Sequence, residues 1–164
     1  MIVLGVDPST VATGFGLLEG DSRSARRISS GVIRPSRRAP LSDRLKEIHL
    51  QLRSLLEQTP PDILVIESTF LHRNVKTALA LGQARGVILL AASLTGTPVT
   101  EYSASEIKRS AVGYGAASKE QVGLMMTRIL GLPNAPAEDE ADALAAAWCH
   151  LSRAGMPALA GGTH

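Results

Sequence analysis

Ile-Val-Leu-Gly-Val-Asp, residues 2–7, is a short apolar run that ends in a carboxylate and is followed at once by Pro8. The run predicts a buried strand with Asp7 at its C-terminal end. Residues 62–68, Asp-Ile-Leu-Val-Ile-Glu-Ser, repeat the pattern with Glu67. In each strand the acid shares a face with apolar or small residues two and four positions back. Because a carboxylate on a buried face is costly unless it is paired, hydrogen-bonded or metal-bound, both acids are candidates for a functional site.

Three successive strands, and then strands alternating with helices, are predicted from the pattern of the whole chain. Strands are expected over 2–7, 13–19, 27–34, 62–68 and 98–102. Helices are expected from Leu41 to a stop at Pro60-Pro61, over 74–94, 104–110 and 119–130, and from after Pro136 to about Arg153. The order βββ-α-β-α-β-α-α-α implies an α/β fold. Its mixed five-stranded sheet would have three antiparallel strands, then α/β crossovers, with helices on both faces.

Length and composition indicate one globular domain. The chain has 164 residues, of which 45% are apolar and 20% charged. We expect a single domain over 1–154 and a flexible, Gly-rich tail over 155–164. A lone cysteine, Cys149, excludes an intrachain disulfide framework and a cysteine-based zinc site. The longest uninterrupted apolar stretch, 86–94, is too short to span a bilayer, and no signal peptide is visible, so a cytoplasmic location is expected.

Charges are segregated along the chain, although the net charge is only +2. Six arginines and no acid lie between Ser22 and Ser42, and we call the segment 23–38 the arginine block. Four acids lie within residues 138–142. Separated blocks of this kind favour a basic binding surface beside a local acidic site. The alternative is a solvated basic hairpin and an ordinary acidic helix start.

The acidic helix start supplies further candidate ligands. Asp139 and Asp142, at i and i+3, share one face of the helix. The small residues 143–147 would let that helix lie close to the sheet, above the crevice where α/β sheets bind ligands. Four hard oxygen ligands from Asp7, Glu67 and this helix suit Mg²⁺ or Mn²⁺ rather than zinc. Acids in a first turn also complement the helix dipole, and a strand-end acid can merely cap a loop, so these alternatives stay open.

Four segments together resemble the RuvC family of Holliday junction resolvases, in the family's order and spacing over about residues 2–152. They are Leu4-Gly5-Val6-Asp7-Pro8-Ser9, Val65-Ile66-Glu67, Leu81-Gly82-Gln83-Ala84-Arg85-Gly86 and Ala141-Asp142-Ala143-Leu144-Ala145. The resemblance implies an RNase H-like nuclease domain that resolves four-way DNA junctions by paired, symmetric, metal-dependent hydrolysis during recombination and repair. It also implies a homodimer and work with the RuvA–RuvB branch-migration complex.

The same resemblance implies that the catalytic and metal-binding acids are Asp7, Glu67, Asp139 and Asp142. Two Mg²⁺ ions per subunit are expected, with Mn²⁺ able to substitute, because two divalent ions about 4 Å apart can activate a water and stabilise the leaving oxygen. His150, eleven residues after Asp139, is a candidate for a supporting contact behind the metal ligands. The alternative is a satisfied or exposed histidine with no such role.

The candidate DNA-contacting residues are Phe70, Arg73, Asn74, Lys76, Lys108 and Lys119. Phe70 suits stacking on an unpaired base, and the family carries a phenylalanine here at the junction centre; the alternative is a hydrophobic staple onto the next helix. Lys108 and Lys119 match basic positions that the family uses near its active site, although each alone would be a solvated surface residue. The arginine block is assigned at most a non-specific contribution.

The long helix over 74–94 is the candidate dimer interface. It is apolar over more than one face, and Gly82 and Gly86, at i and i+4, would allow close helix packing. One face can cover the sheet and the other needs a partner, unless the whole helix is buried within the monomer. A two-fold dimer would present two identical sites to a junction that has two strands of like polarity to cut.

Three other functions remain open. An actin-like or sugar-kinase ATPase lobe shares the strand followed by Gly-Val-Asp and Thr13-Gly14, but such enzymes need two lobes and this length fits one. A non-catalytic junction-binding protein is disfavoured because all four acids are present. An RNase H-like nuclease with another nucleic-acid substrate is the nearest alternative.

Overall fold

The structure, a computed structural model, describes residues 1–68 and 74–154. Its elements in chain order are β1 (Ile2–Asp7), β2 (Thr13–Gly20), β3 (Ala25–Ile33), α1 (Leu41–Gln58), β4 (Ile63–Glu67), α2 (Val75–Leu94), β5 (Val99–Tyr102), α3 (Ala104–Val112), α4 (Lys119–Ile129) and α5 (Glu138–Arg153). Every predicted element is present in the predicted order. The expected tail, 155–164, lies outside the described residues.

Two elements differ from the predicted ones by two residues at one boundary, for local reasons. Strand β3 begins at Ala25 because the turn before it is tight: Asp21 Oδ1 accepts hydrogen bonds from the backbone N–H groups of Arg23 and Ser24, at 2.8 and 3.1 Å. Helix α3 continues to Val112 because Gly113, at φ 95°, supplies the left-handed residue that ends it. Helix α4 begins with a capping box formed by Ser118 and Gln121.

The five strands form one mixed sheet in the order β3-β2-β1-β4-β5. Strand β1 pairs antiparallel with β2 and parallel with β4; β2–β3 is antiparallel and β4–β5 parallel. The predicted α/β class, with a meander followed by crossovers, is therefore confirmed. Because β1 and β4 are parallel neighbours, with Val6 opposite Ile66, their C-terminal ends meet at one edge of the sheet. We call this the catalytic edge, because the predicted catalytic acids Asp7 and Glu67 end β1 and β4 there.

Helices cover both faces of the sheet, as predicted. Val3, Leu18 and Val65 point into a core shared with α3, α4 and α5. Their neighbours Leu4 and Ile66 point the other way, into a core shared with α1 and α2. Alternate side chains of each strand thus pack into the two cores on opposite faces of the sheet. Asp7 and Glu67 lie on the face of the sheet that packs against α5.

Helix α5 lies against β1 and β2 at a distance that only glycine permits. A β-carbon on Gly5 would lie 2.0 Å from the carbonyl oxygen of Ala143. One on Gly14 would lie 1.9 Å from the carbonyl oxygen of Asp139, and one on Gly16 would lie 2.7 Å from Cδ2 of Leu144. The glycines of β1 and β2 therefore pack closely against the small residues of α5. This packing places the first turn of α5 directly beside the end of β1.

Helix α2 packs on the sheet along one face and is exposed along the other. Ala84, Ile88, Ala91 and Ala92 are its buried residues. The outward stripe consists of Val75, Leu79, Gly82, Gly86, Leu90 and Leu94. By length and composition alone α2 could cross a membrane, and such a helix is weak evidence for one. Its buried face belongs to the core of this fold.

We predict that Gly14→Ala lowers the free energy of unfolding by about 1–3 kcal/mol or more, because the added methyl group meets a backbone carbonyl that cannot move without shifting α5. Urea denaturation measures the change. Gly123→Ala is the matched control, because its β-carbon would lie 3.9 Å from that of Ala141 and the residue is helical. That control should be neutral or more stable by about 0.5–1 kcal/mol. Equal stability of the two variants would contradict the prediction.

Candidate active site

Three of the four predicted acids line one cavity at the catalytic edge. Asp7 ends β1, Glu67 ends β4, and Asp142 reaches the cavity from the first turns of α5. The cavity measures about 180 Å³, and Lys108 and Lys119 share its wall. Carboxylates from two parallel strands and a helix thus meet with two cations in the crevice where α/β sheets bind ligands.

Asp139 stands beside this cavity, in the first turn of α5. Its carbonyl oxygen is the atom that packs against Gly14, so its backbone is held at the sheet. Its negative charge contributes to the raised pKa of Asp7. The spacing of Asp139 and Asp142 on one helical face therefore brings both acids toward the end of β1, as predicted.

The acids repel one another when no cation lies among them. Burial, followed by the charge of Asp142, raises the pKa of Asp7 from its ordinary value of 3.8 to about 7. Burial and the same neighbour raise the pKa of Glu67, and Lys108 and Lys119 act in the opposite direction on it. Burial and like charges both oppose ionisation of these carboxyl groups. A bound cation would reverse this effect and favour their ionised form.

The donor set fits a hard divalent cation, but the side chains are not arranged as a ready-made cluster of three ligands within residues 1–68 and 74–154. Lys119 is part of the reason. Its Nζ lies 3.0 Å from Oδ2 of Asp142 and 2.6 Å from Oε1 of Glu138. The carboxylate oxygens of the site suit Mg²⁺ or Mn²⁺. Asp142 would have to turn from the ammonium group to a metal ion.

Lys119 is held as a cation by these contacts. Desolvation lowers its pKa, but hydrogen bonds to Glu138 and Asp142 outweigh that effect, and the net pKa of Lys119 is raised. It opens α4, whose start is fixed by the Ser118 capping box. The ammonium group therefore stays charged at neutral pH beside the acids.

Arg85 has a place in the site that the sequence interpretation did not assign. It lies in α2, and its guanidinium Nη1 donates a 3.0 Å hydrogen bond to the carbonyl oxygen of Glu67 while Nη2 pairs with Glu101. Only 14% of its side chain is exposed. Arg85 thus ties α2 to the ends of β4 and β5 and fixes the backbone of a predicted metal ligand. Its presence within the segment 81–86 was the available sequence signal.

The loop after β1 is rigid and borders a second cavity. Thr13, which is fully buried, donates from Oγ1 to the carbonyl oxygen of Ser9 at 2.5 Å. The hydroxyl of Ser9 accepts from the N–H groups of Val11 and Ala12. Residues Asp7, Ser9, Thr10, Glu67, Lys76 and Thr77 are among those that line the cavity, which extends from the acids to the start of α2. This second cavity therefore leads away from the acids toward α2.

The remaining predicted residues differ in where they lie. Lys76 lines the second cavity, whereas the side chain of Asn74 caps α2 by accepting from the N–H groups of Lys76 and Thr77. That cap is a structural role which sequence interpretation did not foresee. Phe70 and Arg73 lie outside the described residues.

His150 contacts a neighbour of the site rather than an acid. Its Nδ1 lies 2.9 Å from the hydroxyl of Tyr102, and burial lowers its pKa. Tyr102 is the residue opposite Glu67 in the β4–β5 register. Eight residues of α5 separate His150 from Asp142, a rise of about 12 Å. Any supporting role of His150 therefore passes through Tyr102.

The comparisons with known proteins agree with this geometry. The family model described as crossover junction endodeoxyribonuclease RuvC matches residues 3–150. The crossover junction endodeoxyribonuclease RuvC of Alkalilimnicola ehrlichii is 46% identical over 157 residues, which are 95% of this chain and 94% of that protein. The structure of Thermus thermophilus RuvC in complex with a Holliday junction substrate superposes with a TM-score of 0.89 at 35% identity, covering 94% of each chain. This match confirms the RNase H-like fold that the resemblance implied. The chain belongs to the RuvC family of crossover junction endodeoxyribonucleases.

Proposed function

We propose that this protein is a Mg²⁺-dependent endonuclease that resolves four-way DNA junctions by paired, symmetric cuts in recombination and repair. The observation that carries the proposal is the convergence of Asp7, Glu67 and Asp142 on one cavity, with Asp139 beside it and two lysines in its wall. The family relationship supports the substrate, since a relative of known structure binds a Holliday junction. The raised pKa of Asp7 supports a cation at the site.

In the proposed mechanism, the acids hold the metal and the lysines hold the DNA. Divalent ions bound by Asp7, Glu67, Asp139 and Asp142 would supply an activated water and stabilise the leaving oxygen. Mn²⁺ offers the same coordination chemistry and would substitute. Lys108 and Lys119 lie where they can neutralise the charge of the scissile phosphate. When Asp142 turns to metal, Lys119 loses one of its two carboxylate partners and becomes available to the phosphate.

Contacts beyond the scissile phosphate are proposed for Lys76, Asn74, Phe70 and Arg73. Lys76 is supported by its place on the cavity that leads from the acids to the start of α2. Asn74 can offer its amide group to DNA while its carbonyl oxygen keeps the helix cap. Phe70 and Arg73 are proposed on the resemblance alone, as the base-stacking and phosphate-contacting residues of the segment before α2.

The active form is proposed to be a homodimer assembled through α2. The exposed stripe of α2 contains four large apolar side chains, of which Val75 is 79% exposed, Leu79 63%, Leu90 52% and Leu94 59%. Between them lie Gly82 and Gly86, whose β-carbons would meet nothing within 4 Å. Such a stripe supports a tightly packed helix partner. Two-fold symmetry would place one active site on each of the two strands to be cut.

The family relationship further supports a cytoplasmic location and cooperation with the RuvA–RuvB branch-migration complex. Both belong to the proposal. A test of the second is stimulation of resolution by that complex on a junction whose crossover must migrate before it reaches a preferred sequence.

We predict that Asp7→Asn abolishes cleavage of a synthetic four-way junction with Mg²⁺ and leaves junction affinity within about twofold, because the amide removes a metal ligand but no DNA contact. Glu57→Gln, an exposed acid of α1, is the control and should cut at the wild-type rate. Duplex, flap and RNA–DNA hybrid substrates complete the test. Wild-type cutting of the hybrid instead of the junction would favour the alternative nuclease, and binding without cutting would favour a non-catalytic protein.

We predict that Asp7→Asn is more stable than the wild type at pH 8 without metal. The pKa of Asp7 is raised to about 7 in the folded protein. The folded state therefore keeps a proton that the unfolded state loses, and wild-type stability falls as the pH rises from about 4 to 7. Thermal unfolding in chelator should show the gap at pH 8 and its disappearance near pH 4. Divalent metal should stabilise the wild type and not the variant; a variant equally stabilised would argue against a site at Asp7.

We predict that Leu79→Glu together with Leu90→Glu yields a folded monomer, because both side chains are exposed in the single chain and would place charges in an apolar contact. Sedimentation measures the mass. Leu124→Glu, at a leucine of α4 that is 52% exposed, is the control and should remain dimeric. The monomer should nick junctions singly rather than in pairs. A monomeric wild type would refute the interface.

A further inference from the structure

The arginine block is split by the topology of the sheet into two groups at opposite edges. Strand β3 is antiparallel to β2, which is antiparallel to β1, so β3 and β1 run in the same direction. The register aligns Asp7 with Gly14 and Gly14 with Val32. The chain therefore leaves β3 at the catalytic edge, whereas the hairpin before β3 turns at the far edge.

The register sets the distances of the two groups from Asp7. Arg34 follows β3 two residues beyond Val32, and two strand spacings plus two residue rises put it about 12 Å from Asp7. The hairpin turn that carries Arg23 lies six residues along β2 from Gly14, about 20 Å from the catalytic edge. The two groups of arginines are therefore close in the sequence but far apart in the folded chain.

Arg37 and Arg38 occupy the tip of a turn beyond Arg34. The N–H of Ala39 donates to the carbonyl oxygen of Ser36 at 3.0 Å, which places the two arginines at the central positions of the turn. Both side chains and that of Arg34 are exposed, and none of the three forms an ion pair with the part of the chain that the structure describes.

The other group is at least partly neutralised. Arg26 pairs with Glu19 across the β2–β3 hairpin. Arg27 lies 3.9 Å from Glu140. In the far group, two of the three arginines thus have an acidic partner, whereas in the turn group none of the three has one among the described residues.

A contact from α1 independently connects the turn to the active site. Arg44, in the first turns of α1 and shortly after the arginine turn, donates from Nη1 to the carbonyl oxygen of Thr10 at 3.3 Å. Thr10 lines the second cavity together with Asp7 and Glu67. The start of α1, where Arg44 lies six residues after Arg38, is thus held against the wall of the site.

We propose that Arg34, Arg37 and Arg38 form a phosphate-binding surface that holds one arm of the DNA close to the scissile phosphate, since Arg34 lies about 12 Å from Asp7. The inference rests on the proposed function and names a further contact region of the same substrate. Exposed arginines without acidic partners suit phosphate oxygens, because a guanidinium group can donate two parallel hydrogen bonds. Contacts of this kind fix the register of DNA without reading its sequence.

The test compares two double variants that remove the same charge. Arg37→Gln with Arg38→Gln changes the catalytic edge, and Arg23→Gln with Arg26→Gln changes the far edge. The dissociation constant of an immobile four-way junction is measured against salt in chelator by fluorescence anisotropy. We expect the salt slope to fall by about 1.8 for the first pair, which loses two phosphate contacts, and to stay within error for the second.

A second measurement locates the contact. Methylphosphonate groups, which carry no charge, replace the second to fourth phosphates on either side of the cut. On one side they should weaken binding by the wild type and have no further effect on the Arg37→Gln, Arg38→Gln variant. Equal losses for both variant pairs, no loss for the first, or additive losses from both changes would overturn the inference.

The outcome is distinguishable from failure of the proposed function. If the wild type neither binds nor cuts junctions, both proposals fail together. If it cuts junctions and the first pair binds with the wild-type salt slope, only the arginine surface fails. Circular dichroism melting of both variants controls for folding, and we expect no change because the four side chains are exposed.

Discussion

Contact between helix α5 and strands β1 and β2 at backbone distance is the constraint on which the rest of the structure depends. Glycines at 5, 14 and 16 allow the carbonyl oxygens of Ala143 and Asp139 to reach positions that a β-carbon would otherwise fill. The close approach brings acids of the first turns of α5 to the end of β1, where Asp7 lies. Backbone atoms packed this closely cannot shift easily. The position of the acids is therefore set by the fold rather than by flexible side chains.

The same close approach of α5 to the sheet also brings several negatively charged carboxylates together at the site. Bringing carboxylates together in a partly buried crevice raises the pKa of Asp7 and of Glu67. Lys119 relieves part of the repulsion by pairing with Asp142. A divalent cation would relieve it more fully, and the lysine would then be free to meet an anion. The stability of the metal-free protein is thus reduced at the proposed metal site, as is common at functional sites.

The residues assigned to the proposed activity lie at one edge of the sheet. Strands β1, β3 and β4 all end there, because the meander restores the direction of β1 in β3 and the crossover restores it in β4. Acids, lysines and the arginine turn therefore face one side of the molecule. Arg85 holds the end of β4 from α2, whose opposite face is the proposed dimer surface. The site and the proposed interface thus share one helix.

The residue pattern alone determined the elements, the strand-end acids and the family, because side-chain alternation, helical spacing and local caps depend on neighbours within a few residues. It predicted that each of Asp7 and Glu67 continues the buried face of its own strand, and the register then places the two strands side by side. It did not predict the pairing of Lys119 with Asp142, the role of Arg85, the contact of His150 with Tyr102, or the division of the arginine block. Each of these joins residues far apart in the chain, and only strand register and helix packing decide which of them meet. Neither the strand register nor the helix packing can be read from the number of residues between two positions.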